Sequence, residues 1–238
     1  MGQHYRRFVR GVNGYHALEG KEIARSNNFF KHFVNVTDLP PTQKGRHHEL
    51  RALGLRDFAG LRRDDERLDP FELAGFAKLF VATFDQIEPF LTEETKAHLT
   101  GGGKDAWSGG AASQTLPDGQ RLIILNPTHG RNRHNATLME EVCHVFLGHK
   151  PSRLAIENRD KDGRVIARDY NHSIEEEAYS TGAAALVPYT SLKRMVNEGK
   201  TAQEIARHFY VSRALVEYRI KVSRLWDAYK EMVFQGGD

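Results

Sequence analysis

The stretch Asn135-Ala136-Thr137-Leu138-Met139-Glu140-Glu141-Val142-Cys143-His144-Val145-Phe146-Leu147-Gly148-His149 reads as an amphipathic helix that carries chemistry. Leu138, Val142, Val145 and Phe146 form its apolar face and predict a helix over 136–148. Residues four apart lie ~40° apart around a helix and ~6 Å along it. Glu140 and His144 therefore project from one face and can share a metal ion, with Glu141 on the next column. The pattern is that of His-Glu-x-x-His, in which two histidines bind zinc and the glutamate is the general base, except that Glu140 stands at the first position. A carboxylate binds zinc at ~2.0–2.2 Å, so the substitution is compatible with a metal. It makes the shell harder and more anionic, which favours manganese or iron relative to zinc. The third ligand must come from elsewhere. Ser173-Ile174-Glu175-Glu176-Glu177-Ala178-Tyr179 offers three consecutive glutamates on a second helix, of which only one can face the metal. Ala178 and Ala184 are small enough to let that helix pack closely on the first.

Outward from this pair, Asp69 as N-cap and Pro70 at the first helical position predict a helix over 69–80. Another is expected over 93–99, stopped by Gly101-Gly102-Gly103. Two strands are expected, over 107–115 and 121–126, the second preceded by a Pro117-Asp118-Gly119 turn. Residues 50–61 read as a short helical or loop connection. Residues 151–172 read as a charged loop turning at Asp160-Lys161-Asp162-Gly163, and 173–186 as a helix stopped by Pro188. Helices over 192–198, 202–208 and 212–230 complete the chain. The fold class is α+β, mostly helical, with a small sheet.

The chain has 238 residues and a net charge of +3. That length suits one large domain or two small ones. Lys and Arg total 34 against 31 Asp and Glu, a balance too even to argue for nucleic acid. Residues 1–63 are basic, with twelve Lys/Arg against five Asp/Glu, a net of +7 that leaves −4 for the remainder. They read as a solvated extension that docks on the main domain. A single cysteine, Cys143, excludes an intramolecular disulfide and suits the cytoplasm. No apolar stretch is long enough for a secretory signal or a membrane span.

Four blocks resemble the ImmA/IrrE metallo-endopeptidases: the run 135–149; Glu175 to Pro188, similar to that family's Glu-x-Glu-Ala-Asn-x-Phe-Ala helix; Leu68-Asp69-Pro70; and Ile205 to Ser212, similar to its helix-turn-helix-like C-terminal element. The resemblance covers about residues 68–226. It implies a zincin-like metallopeptidase core over 67–190, a basic N-terminal extension over 1–66 and a helical element resembling helix-turn-helix over 191–238. It implies peptide-bond hydrolysis, with a transcriptional repressor as the substrate class. Carried over by position, Glu141 matches the general base, His144 the second histidine ligand and Glu177 the third ligand. Glu140 stands where the first histidine belongs, and Tyr179 replaces an asparagine. Glu175 and Glu176 read as a solvated face, with Glu175 kept as a substitute ligand. One divalent metal ion is expected, zinc first, with manganese or iron as alternatives.

The strand 121–126 is expected to lie above the helix and take an extended peptide by strand addition, with Ile123 and Leu125 as substrate contacts. His149, His172, Tyr170 and Tyr179 are the electrophiles available for a developing oxyanion. His149 can equally serve only as a cap at the helix end. Cys143 and Trp107 read as core residues. Glu141-Val142-Cys143-His144 is also a Glu-x-x-His di-iron pattern, but no second copy occurs. Within 201–220, Arg213 and Arg219 could meet phosphates, although packing of these helices onto the peptidase is the favoured reading. The alternative function is a non-catalytic regulator on the same scaffold that binds DNA or a repressor. The oligomeric state is not legible.

Overall fold

A computed structural model of the chain describes residues 38–149, 158–159, 165–167 and 172–234. The expected turn at residues 160–163, Tyr170 and residues 1–37 of the basic extension lie outside the described residues. Among the described residues the first helix is α1 (Gln43–Phe58), which starts where the Thr42 hydroxyl accepts the Gly45 N–H at 3.0 Å. Next come α2 (Pro70–Phe76), β1 (Leu79–Ala82), α3 (Phe84–Ile87), α4 (Glu93–Ala97), β2 (Gly109–Thr115) and β3 (Arg121–Leu125). The long helix α5 (Arg131–Phe146) is followed by the short strands β4 (Asn158–Arg159) and β5 (Val165–Ala167) and then by α6 (His172–Leu186). Four further helices close the chain: α7 (Tyr189–Asn197), α8 (Ala202–Phe209), α9 (Arg213–Val222) and α10 (Trp226–Phe234). The fold is mostly helical with a small three-stranded sheet, an α+β arrangement of the zincin-like kind. Among the described residues, no helix is long and apolar enough to cross a membrane.

The expected helix over 69–80 is shorter than its pattern suggests. Asp69 caps it as anticipated, its carboxylate accepting the Phe71 N–H at 2.9 Å. The helix ends at Phe76, and Lys78 takes a left-handed backbone with φ 54°. That reversal frees Leu79–Ala82 to pair in parallel with β3, a strand that helical periodicity concealed. The expected helix over 212–230 is likewise two helices, broken where Arg224 adopts φ 59°.

β3 is the central strand, with β1 parallel on one side and β2 antiparallel on the other. This corrects the expectation that it adds a peptide. Both its edges are already hydrogen-bonded, and Ile123 and Leu125 are buried in the core at 0% and 7% exposure. Neither can touch a substrate.

α5 runs through the middle of the core. Leu138, Met139, Val142 and Cys143 are fully buried, while Val145, expected on the apolar face, is exposed. Gly182 of α6 permits the close approach of α5, and the alanines around it (Ala178, Ala183, Ala184, Ala185) are buried. A Cβ built on Gly182 would lie 3.3 Å from Met139 Cγ and 3.5 Å from Cys143 Sγ.

The described residues from Pro40 onward belong to one compact unit, so the expected divisions at 66/67 and 190/191 do not appear within it. α1, assigned to the extension by its charge, packs on α6. Its Arg56 donates to the Ala185 carbonyl at 2.9 Å and to the Glu66 carbonyl at 2.6 Å. Arg219 on α9 is buried and bound to Glu49 of α1 at 2.7 Å, and Arg213 is paired with Glu217 at 2.7 Å. Arg219 is therefore unavailable to a phosphate backbone, contrary to what its position in the sequence allowed.

Candidate metal centre

The site is assembled where α5 and α6 lie side by side. α5 begins after Gly130, and the loop that feeds it is shaped by the buried Asn126. The Asn126 amide donates to the Lys104 and Trp107 carbonyls at 2.6 and 2.8 Å, and its oxygen accepts the Thr128 N–H at 2.9 Å. Trp107 is half-buried, its indole N–H donating to the Leu99 carbonyl at 3.0 Å.

Glu140 and His144 stand one turn apart on α5, as the spacing predicts. Glu175 of α6 completes the group, and one donor atom from each of the three residues lies within 4.8 Å of the others. His144 Nε2 is 3.1 Å from Glu175 Oε2. Two carboxylates and one imidazole in half-buried positions form a donor set that fits a divalent cation. The electrostatics fit as well. Burial foremost, then Glu141 and Glu175, pushes the Glu140 carboxyl up to about 7. Burial also raises Glu141, Glu175 adding to the effect and His144 and Arg121 opposing it. Three carboxyl groups at one place repel one another, and a bound cation would relieve that repulsion.

Glu177, the third ligand by sequence position, is directed elsewhere. Successive helical residues turn by ~100°, so Glu175 and Glu177 leave α6 on widely different bearings. Glu177 is ion-paired with Arg51 of α1, and His47 lies 3.6 Å from the same oxygen. Its other oxygen is 3.1 Å from His149 Nε2. His149 in turn places Nδ1 3.1 Å from His144 Nδ1. Burial first, then His144 and Arg51, lowers the basicity of His149.

The position of His149 follows from the end of α5. Gly148 takes φ 68°, its N–H donating to the Val145 carbonyl at 3.1 Å, while the His149 N–H donates to the His144 carbonyl at 2.9 Å. This left-handed glycine cap turns the chain back and sets the two imidazoles against each other. His149 therefore caps the helix end through its backbone N–H and also stands beside His144, the two positions between which the sequence left it open. Of the other electrophiles considered, His172 is exposed at the start of α6 and Tyr179 packs edge-on to Tyr218 with ring centres 5.0 Å apart.

Sequence reading missed Arg51. It lies 126 residues from Glu177, in a segment whose net charge suggested an exposed extension, and no local pattern marks it.

The family model of the IrrE N-terminal-like domain of the M78 peptidases matches residues 100–221, just over half of the chain. The match spans β2, β3, α5, α6 and the helices through most of α9. No curated protein and no solved structure matches the chain.

Proposed function

Because the chain belongs to the M78 peptidases through its IrrE N-terminal-like domain, we propose that it is a metal-dependent endopeptidase that cuts a protein substrate. The observation that carries this reading is the convergence of Glu140, His144 and Glu175 beside the half-buried Glu141. Glu140, His144 and Glu175 would hold one divalent ion, zinc in the first instance, with manganese or iron suited to so oxygen-rich a shell. When bound, the ion supplies a Lewis acid that polarises the scissile carbonyl.

Glu141 is the proton carrier. Its raised pKa makes the carboxylate a stronger base than an ordinary glutamate. It takes a proton from the attacking water and gives it to the leaving amine nitrogen, a role worth ~10²–10⁴-fold in rate. An extended substrate adds to β2 rather than β3. β2 pairs only with β3 among the described residues. It lies over α5, where a Cβ on Gly109 would come within 2.7 Å of Thr137 Cγ2. The resemblance to ImmA/IrrE enzymes points to a transcriptional repressor as substrate, and the lone buried Cys143 suits a cytoplasmic setting.

Elemental mass spectrometry of the purified protein, paired with a cleavage assay on candidate repressors, tests the reading. One equivalent of metal, lost in Glu140→Ala and kept in Glu141→Gln while cleavage vanishes, is the expected pattern. Undiminished cleavage by Glu141→Gln would overturn it.

A further inference from the structure

An imidazole ligates a metal through one bare nitrogen while the other keeps its hydrogen, and the partner of that second nitrogen decides which is which. The two nitrogens of His144 have different surroundings. Nε2 faces Glu175 within the donor set, and Nδ1 faces His149 Nδ1 at 3.1 Å. Two ring nitrogens at that distance share one hydrogen, so one donates and the other accepts.

The next contact outward settles the direction. His149 Nε2 is 3.1 Å from a Glu177 oxygen, and a carboxylate only accepts. His149 Nε2 therefore carries the hydrogen. A neutral imidazole has one ring hydrogen, and the Glu177 carboxylate holds that of His149 at Nε2. Its Nδ1 is then bare and accepts. The shared hydrogen belongs to His144 Nδ1, and His144 Nε2 is left bare beside Glu140 and Glu175. A bare nitrogen 3.1 Å from a carboxylate oxygen is a pair of acceptors, which a cation reconciles.

The far end of the relay is fixed from outside the segment matched by the family model. Arg51 grips one oxygen of Glu177, with His47 3.6 Å from the same atom, so the other oxygen stays on His149. We infer that Arg51, Glu177 and His149 are positioning residues that hold His144 with Nε2 bare toward the metal site, Glu177 acting as the outer carboxylate of the relay and not as a ligand. The assignment rests on reading Glu140, His144 and Glu175 as the metal site.

The test uses the full chain and zinc. Two-bond ¹⁵N–¹H imidazole spectra of the zinc-loaded protein should show His144 protonated at Nδ1 and His149 neutral and protonated at Nε2. A His149 ring protonated at Nδ1 overturns the relay without any variant. Zinc affinity is the second readout, with the melting temperature of the metal-free protein as the folding control. Outer-shell partners of metal ligands are worth ~10–100-fold in affinity, so Glu177→Ala and Arg51→Met should weaken zinc binding by about that factor, with Arg51→Lys recovering part of it. Affinity unchanged in Glu177→Ala, or abolished as completely as in Glu140→Ala, overturns the relay, the latter by making Glu177 a ligand. If Glu140→Ala and Glu175→Ala both bind zinc like the parent, the metal site itself is refuted, and that result is distinct from failure of the relay alone.

Discussion

Arg219 and Glu49, 170 residues apart in sequence, meet at 2.7 Å with 3% and 2% of their side chains exposed. Each also has a second partner: Arg219 Nε donates to the Val187 carbonyl at 3.0 Å, and the other Glu49 oxygen accepts the Tyr189 N–H at 2.6 Å. The pair ties α1 and α9 to the turn between α6 and α7. Removing one partner of a buried ion pair leaves an uncompensated charge and costs ~3–5 kcal/mol. Glu49→Ala and Arg219→Met should each lower unfolding free energy by about that amount in urea denaturation. The double substitution should cost clearly less than the two singles added, and strict additivity would show that the groups do not interact.

Metal-free protein should lose stability as the pH rises from about 4.5 to 7. Glu140 is held up to about 7, against 4.5 for an ordinary glutamate, so the folded state binds the extra proton in that window. The contribution is complete below 4.5 and lost through 7, at most about 3 kcal/mol. His48 acts in the opposite sense. Burial, aided by His47, Lys44 and Arg51, lowers it to about 4, so its contribution is present above 6.5 and lost as the pH falls through 4. Denaturation of the parent and of Glu140→Gln at pH 5 and pH 8 separates the two. The parent should lose relative to the variant at pH 8, and an equal gap at both values would refute the shift. Metal affinity should rise with pH up to about 7, since the ion competes with that proton.

The close contact of α5 and α6 should tolerate one added carbon and no more. Gly182→Ala places Cβ 3.3–3.4 Å from Met139, a squeeze offset by alanine's better helix propensity, and stability should change by less than about 1 kcal/mol. Gly182→Val overpacks the seam and should cost ~1–3 kcal/mol in urea denaturation. A neutral valine would mean that the helices lie farther apart.

Lys78 holds a left-handed backbone between α2 and β1. An L side chain there costs ~1–2 kcal/mol, against which glycine loses more chain entropy on folding. Lys78→Gly should therefore leave stability unchanged or raise it by up to about 1 kcal/mol. A loss larger than that would show that the lysine side chain matters to the turn.

The local features of the site were legible in the chain itself. The period of Leu138 and Val142 buries one face of α5, and the four-residue step from Glu140 to His144 aligns two donors, because helical geometry is set by near neighbours. Asp69 and Gly148 announce a helix start and a helix end for the same reason. The element pattern gave a mostly helical α+β class, and the family resemblance added the zincin-like core. Other features depended on contacts that no local pattern encodes. The sheet order put β3 at the centre and took Ile123 and Leu125 out of reach of any substrate. The rotation of α6 against α5, packed closely at Gly182, brought Glu175 to His144 and sent Glu177 to Arg51. α1, which its charge marked as an extension, became a wall of the core because Glu49 and Arg56 found buried partners more than a hundred residues away. Sequence specifies which side chains a helix presents on each face. Which of three adjacent glutamates meets the histidine depends on how that helix is turned against its neighbours, and tertiary packing alone sets that angle.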